Sequence, residues 1–310
     1  MPQTLASIAL AFLCLLPAWS WASSSDYCDA AQDLSAESQD RMIRVAALVK
    51  RELEASGQPS ALLSRAGIRL GWLGQRYSHA GVTLKDSEVT PWSVRQLYFS
   101  CDEKRSRIYD QGVSGFVVGA QDEDIGYVSI VTLPPEASSR LADTAHNNSK
   151  ALSLLSPHYS ANAYPYSTLF QNCNQWLAEL LAYAWTGESA QTPDREQAQR
   201  WLHEQGYQPT ELDVWRPLIW MASGYHWLNF NDHPDALLSE GRVQFSLPPA
   251  VEQYARRRWP EAQRIEICYT TEHAVLHRGW DNIPDGCPVR EGDEVVSLKP
   301  AATTPSALKL

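Results

Sequence analysis

Five cysteines stay in this chain once its leader is removed, and five cannot all pair. The leader is Leu5–Leu16, an apolar run broken only by Ser7 and too short to span a bilayer. Pro17 ends it, and Ser20-Trp21-Ala22 offers the small residues a signal peptidase reads, so residues 1–22 are expected to be a signal peptide and 23–310 the mature domain. The segment before the run has no Lys or Arg, which leaves a retained anchor as the alternative. Beyond it no run is long enough to cross a membrane. Cys14 leaves with the leader; Cys28, Cys101, Cys173, Cys268 and Cys287 go to an oxidising compartment, the periplasm in a Gram-negative cell. Cys268 and Cys287 lie 19 residues apart in a turn-rich tail and are natural partners, with Cys28 and Cys101 as the second pair. Sequence does not fix connectivity, but this pairing leaves Cys173 as the odd thiol.

The formal charge of −10 and the pI near 5.3 argue against a nucleic-acid partner, which would need clustered Lys and Arg. Arg256-Arg257-Arg258 is the only compact basic run and reads as a solvated helix face. Met42, Val45, Val49 and Leu53 recur at helical spacing and Gly57 stops them, predicting a helix over Ser38–Ser56. From Gly67 the texture changes to strand-like runs: "IRLGWLG", "YSHAGVTL", "WSVRQLYF" and "GYVSIVTL". These predict an antiparallel sheet. A helix is expected over Ala137–Leu155, then an irregular loop, then the helix that begins near Cys173 and ends at Gly187. Thr192-Pro193-Asp194 opens another helix, "ELDVWRPLIWMASGYHWLNF" is a Trp-rich stretch, and the tail holds a helix near Ala250–Trp259 with strands "RIEICYT" and "DEVVSL". The fold class is α+β, one elaborated domain.

A helix N-terminus favours a thiolate through its unpaired N–H groups and dipole, and Cys173 sits where a helix starts. Its own N–H, and side-chain amides of Asn172 or Gln171, are candidate oxyanion donors. His79 is the candidate base, on a strand face shared with Tyr77 and Gly81, while the small pair Ala80-Gly81 would let a helix come close. Gln96, polar in an apolar strand with Arg95 on the opposite face, is the candidate for holding the imidazole through Nδ1–H. The competing reading of each is bland: a small core cysteine, a structural histidine, an exposed glutamine.

"YSHAGV" followed by "YPYSTLFQNCNQWLAELLAYA" resembles an exported bacterial family of unassigned function. That family is similar to the circularly permuted branch of the NlpC-like, papain-fold cysteine hydrolases, in which the histidine strand precedes the cysteine helix. The resemblance implies an antiparallel sheet packed on the cysteine helix, a core over about 67–183, and a helical and small-strand elaboration over about 190–300. It implies Cys173 as nucleophile, His79 as base and Gln96 as the third polar group, although relatives often carry histidine at that last position. Members of the wider group cleave cell-wall peptides or act on acyl esters and amides.

The expected function is therefore an exported thiol hydrolase or acyltransferase acting on a peptide, cell-wall or acyl substrate, without metal or cofactor. The alternative is a non-catalytic binding or scaffolding protein that keeps the papain-like shell, and a redox role has no C-x-x-C motif behind it. An activated Cys173 would alkylate readily near pH 6. His273 and His277 form an H-x3-H pair without an evident third ligand, and Asp122-Glu123-Asp124 reads as a solvated turn. Trp215, Trp220 and Trp227, with Tyr225 and Phe230, line either a groove or a core.

Overall fold

The structure, a computed structural model, describes residues 34–67, 70–119, 124–186, 194–222, 225 and 227–299. The predicted signal segment and Cys28 lie outside them. Helix α1 (Ala36–Ser56) starts on the Ser35 cap, whose side chain accepts from the Ser38 N–H, and stops at Gly57, which takes the left-handed conformation at φ 67°. After it come β1 (Ser60–Arg65), a short 3-10 turn (Gly71–Leu73), β2 (His79–Leu84), β3 (Ser93–Ser100), β4 (Arg105–Gly112) and α2 (Val113–Val118). β5 (Gly126–Thr132) leads to α3 (Pro135–His146) and α4 (Asn148–Ser153), and a long loop leads to the cysteine helix α5 (Cys173–Thr186). Then follow α6 (Arg195–Glu204), β6 (Thr210–Asp213), α7 (Arg216–Ala222), α8 (Asp235–Ser239), β7 (Arg242–Phe245), α9 (Pro248–Arg258), β8 (Gln263–Tyr269), β9 (His273–Arg278) and β10 (Glu294–Ser297).

Among the described residues the main sheet has eight strands in the order β10-β9-β8-β5-β1-β2-β3-β4, paired antiparallel throughout; β6 and β7 form a separate two-stranded ribbon. The expected class, α+β with a large antiparallel sheet, is what the chain forms. Side chains alternate across the strands with period two, and here both faces are covered. Leu62, Val82, Leu84, Leu97 and Val131 pack with Leu141, Trp176, Leu177, Leu180 and Leu181 from α3 and α5. The intervening Ala61, Leu63, Val94, Val128, Ile130, Ile265 and Ile267 pack with Met42, Val45, Val49 and Leu53 of α1 and Phe116 of α2. Two covered faces explain why "GYVSIVT" is mostly apolar and why the charged residues that alternate in "RIEICY", Arg264 and Glu266, are buried and paired.

Some sequence expectations need correction. "IRLGWLG" is no strand where it is described: Gly71–Leu73 is a 3-10 turn, and the strand is the preceding Ser60–Arg65. One helix over Ala137–Leu155 is in fact two, broken at Asn147, whose side chain caps the second by accepting from the Lys150 N–H. His273 and His277 both lie on β9. The His277 ring is bonded through Nδ1 to Asp293 at 2.7 Å and through Nε2 to Asp281 at 3.1 Å. Asp122 and Glu123 lie outside the described residues. The Cys268–Cys287 disulfide is present, with Cα atoms 5.5 Å apart. Cys101 is also disulfide-bonded.

A buried charge network fastens the start of β2 to the far side of the sheet. Arg264 donates from Nε to Glu252 at 3.1 Å and lies 3.4 Å from Glu266. Glu252 also accepts from the Ser64 hydroxyl at 2.7 Å, while Glu266 accepts from Arg76 at 3.0 Å and from the Tyr77 hydroxyl. Both glutamates and the arginine are buried. Removing one partner of such a pair strands a charge in the interior, which costs about 3–5 kcal/mol. Arg264→Leu is therefore expected to lose about that much in urea unfolding; a loss below about 1 kcal/mol would show the network to be dispensable.

Candidate active site

The β2–β3 ladder runs only from Val82↔Arg95 to Leu84↔Ser93, although β3 continues to Ser100. Over His79–Gly81, β2 stays paired with β1 alone. Helix α5 brings its first residue into this unzipped stretch. The sulfur of Cys173 lies 3.0 Å from His79 Nδ1, and the Ala80 backbone N–H faces it. His79 Nε2 in turn bonds Gln96 Oε1. The three residues singled out from sequence thus meet in one chain of contacts. The orientation differs from the one expected: Nδ1 faces the thiol and Nε2 faces Gln96.

The asparagines on either side of the cysteine build this placement. Asn172 Oδ1 caps α5 by accepting the Gln175 N–H at 2.8 Å, and its Nδ2 donates to the carbonyls of Ala161 and Ser246. Asn174 Nδ2 donates to the carbonyls of Ser78 and Ser246. One carbonyl, that of Ser246, therefore holds both, and Asn174 ties the residue before His79 to the residue after Cys173. Gln171 is equally committed: it accepts from the Ser156 N–H and donates to Leu154 O and to Glu179. The expected oxyanion donors Asn172 and Gln171 have thus spent their side-chain amides on capping and loop anchoring. Backbone N–H groups of Cys173, Asn174 and Ala80 are the donors that face the sulfur.

Other residues of the site left weaker marks in the sequence. Glu179, fully buried two turns along α5, accepts from Arg195 at 3.0 Å and from Gln199 at 2.8 Å, while Arg195 also donates to the carbonyls of Thr168 and Phe170. A lone acid in "WLAELLAYAW" was the available signal. The His79 ring lies 5.7 Å from the Phe116 ring, over which Arg65 sits at 5.3 Å. Gly81 is required by its neighbours: a Cβ there would come within 2.7 Å of Val94 Cγ1 and 3.3 Å of Gln96 Cβ. The small pair after the histidine thus divides its work. Ala80 packs in the cluster with α5, and Gly81 gives room to β3 rather than to a helix.

The electrostatics run against the expected ion pair. Burial pushes the Cys173 thiol up to about 12, outweighing the backbone N–H groups and the Arg65 charge that favour the thiolate. Burial, with Arg65 acting in the same direction, pushes the His79 imidazole down to about 3, outweighing its bond to Gln96. Both groups are neutral at pH 7. The S–H then donates to Nδ1 and Nε2–H donates to Gln96, so each polar atom is matched. Easy alkylation near pH 6 is not what such a resting pair offers. Among the described residues no three His, Cys, Asp or Glu side chains gather as a metal site.

Residues 52–255, about two-thirds of the chain, match a family described as an uncharacterized protein conserved in bacteria (DUF2145). The matched segment contains His79, Gln96 and Cys173 and ends before the β8–β9 tail. No curated protein and no solved structure matches the chain.

A histidine held neutral in the fold, but protonated in the unfolded chain below about pH 6.5, favours folding above that pH. This contribution is lost as pH falls from about 6.5 toward 3. Between pH 7 and pH 5 the urea midpoint of the wild type is expected to fall further than that of His79→Gln, which cannot titrate. Equal shifts would mean that His79 is as easily protonated folded as unfolded.

Proposed function

We propose that this chain, which belongs to the DUF2145 family of uncharacterized bacterial proteins, is an exported thiol hydrolase or acyltransferase working through Cys173 and His79. The observation that carries the reading is the contact of Cys173 Sγ with His79 Nδ1 at 3.0 Å, backed by Gln96 on the far side of the ring. A histidine strand that precedes the cysteine helix is also the order of a permuted papain-like arrangement, and that relationship is part of the proposal. A disulfide and the absence, among the described residues, of a helix able to cross a membrane are compatible with export.

From a neutral resting pair the chemistry follows general-base catalysis. As Sγ bonds to the substrate carbonyl carbon, Nδ1 takes the thiol proton, and Nε2–H stays on Gln96. The developing oxyanion is met by the N–H groups of Cys173, Asn174 or Ala80. The imidazolium then passes its Nδ1 proton to the departing nitrogen or oxygen, leaving a thioester on Cys173. Water, or another acceptor, attacks the thioester while Nδ1 again accepts the proton, and the acid or transferred product leaves with the thiol restored. Gln96 orients the ring but, being neutral, gives the imidazolium no ionic support. Stem peptides of the cell wall are the nearest abundant amides in a periplasm.

One observation favours the alternative of a non-catalytic shell: Cys173 is 6% exposed and its thiol is pushed up, as for an inert core cysteine. Acylation separates the two readings. Mature, oxidised protein incubated with p-nitrophenyl acetate at pH 7.5 is expected to form an acetyl thioester on the Cys173 peptide by mass spectrometry. His79→Ala should slow this by about 10²-fold or more. Absence of acetyl on Cys173 in the folded wild type, with ready acetylation after denaturation, would establish the inert shell.

A further inference from the structure

The face of β3 that carries Gln96 continues past the dyad into solvent, and what it carries there is aromatic. Gln96 pairs directly with Tyr109 of β4, and Tyr98 pairs with Arg107, so these four side chains form one block on one sheet face. Behind the block lies Val94, in the core; beyond it the strands end in the turn at residues 101–104. Gln96 is buried and holds His79, whereas Tyr98 and Tyr109 are 52% and 51% exposed. Their rings meet each other, centroids 6.0 Å apart and tilted by 42°. The ion pair of Arg107 with Glu103 edges the block at its outer end, with both side chains about half in solvent. A shelf of two aromatic faces with a charged rim thus begins directly beside the residue that orients the candidate base.

We infer that this shelf is a carbohydrate subsite, on which a pyranose ring of a glycan stacks while its attached acyl or peptide group reaches Cys173. The inference rests on the hydrolase reading for its second half only. Three features select a sugar. A pyranose presents an apolar face of C–H groups that fits a tyrosine ring, and equatorial hydroxyls that reach a guanidinium or carboxylate at the edge, as Arg107 and Glu103 provide. An acyl chain needs enclosure, and among the described residues these two rings stand half exposed. An extended peptide docks edge-on, through backbone groups in the plane of the sheet, whereas the Tyr98 and Tyr109 rings stand on the sheet face, across β3–β4 pairs that run from Ser93↔Gly112 to Ser100↔Arg105. For a cell-wall substrate the arrangement places the glycan on the shelf and the amide at the thiol.

The test uses mature, oxidised Cys173→Ala protein, in which binding is read without turnover. Titration with the β-1,4-linked tetramer of N-acetylglucosamine, followed by calorimetry and by proton NMR, is expected to show saturable binding at millimolar concentrations or below. Upfield shifts of sugar ring protons and changes in the Tyr98 and Tyr109 resonances should accompany it. Tyr98→Ala with Tyr109→Ala should weaken binding by about tenfold or more, while the paired Phe substitutions should retain it. Both positions are half exposed, and thermal unfolding checks that the variants fold. No saturable binding overturns the inference. So does binding that the paired Ala variant leaves unchanged, or that shifts other residues and spares both tyrosines. Acylation of Cys173 is measured without any sugar, so a silent thiol with an occupied shelf would sink the hydrolase reading and leave the subsite standing.

Discussion

A thiol and an imidazole are buried together at the one place where β2 and β3 come apart, and most of the surrounding polar architecture serves that burial. Had the ladder continued beyond Val82↔Arg95, the Ala80 N–H would face a strand instead of the Cys173 sulfur. Buried polar groups are costly unless matched, and each group in this row has a partner: thiol to Nδ1, Nε2 to Gln96. Matching without net charge explains why both groups are held neutral. On the proposed reading the site keeps a base beside a nucleophile and leaves proton transfer to the moment of attack.

Around this centre, polar side chains act as fasteners between segments far apart in sequence. Asn172 and Asn174 converge on the Ser246 carbonyl and draw together the loop at Ala161, the segment after β7 and the start of β2. Gln171, Glu179, Arg195 and Gln199 gather the loop that leads into the cysteine. The Glu252–Arg264–Glu266 network, through Arg76 and Tyr77, fixes the approach to His79 from the other direction. Held from both sides, Cys173 and His79 have little freedom to separate. The exposed tyrosines lie opposite Gln96 on β4 and two residues past it on β3, where the same sheet face leaves the core.

Much of this was legible in the residues, and what was missed has physical causes. Helix α1 showed both its periodicity and its glycine stop, and "QNCNQWL" marked the start of α5 because asparagine is a favoured cap. His79 and Gln96 stood out as polar residues in apolar strands. β1 was missed because "SALLSR" is short and has no alternation once both sheet faces are covered. β4 was missed because "RSRIYDQG" is an edge strand, half polar and exposed. The roles of Asn172 and Gln171 were misjudged because a side-chain amide beside a nucleophile reads the same whether it faces substrate or a carbonyl of the fold. Burial, which raised the thiol and lowered the imidazole, is a property of packing that a helix-start position does not reveal.

The protonation state and tautomer of His79 test this account most directly. Nitrogen-15 imidazole NMR of mature, oxidised protein, with His79→Gln to assign the signals, reads both at once. The expected result is a neutral ring at pH 6, with the proton on Nε2 toward Gln96 and Nδ1 accepting from Cys173. An imidazolium at that pH, or a proton on Nδ1, would contradict it. The pair would then be a preformed ion pair, or the thiol would have no base beside it.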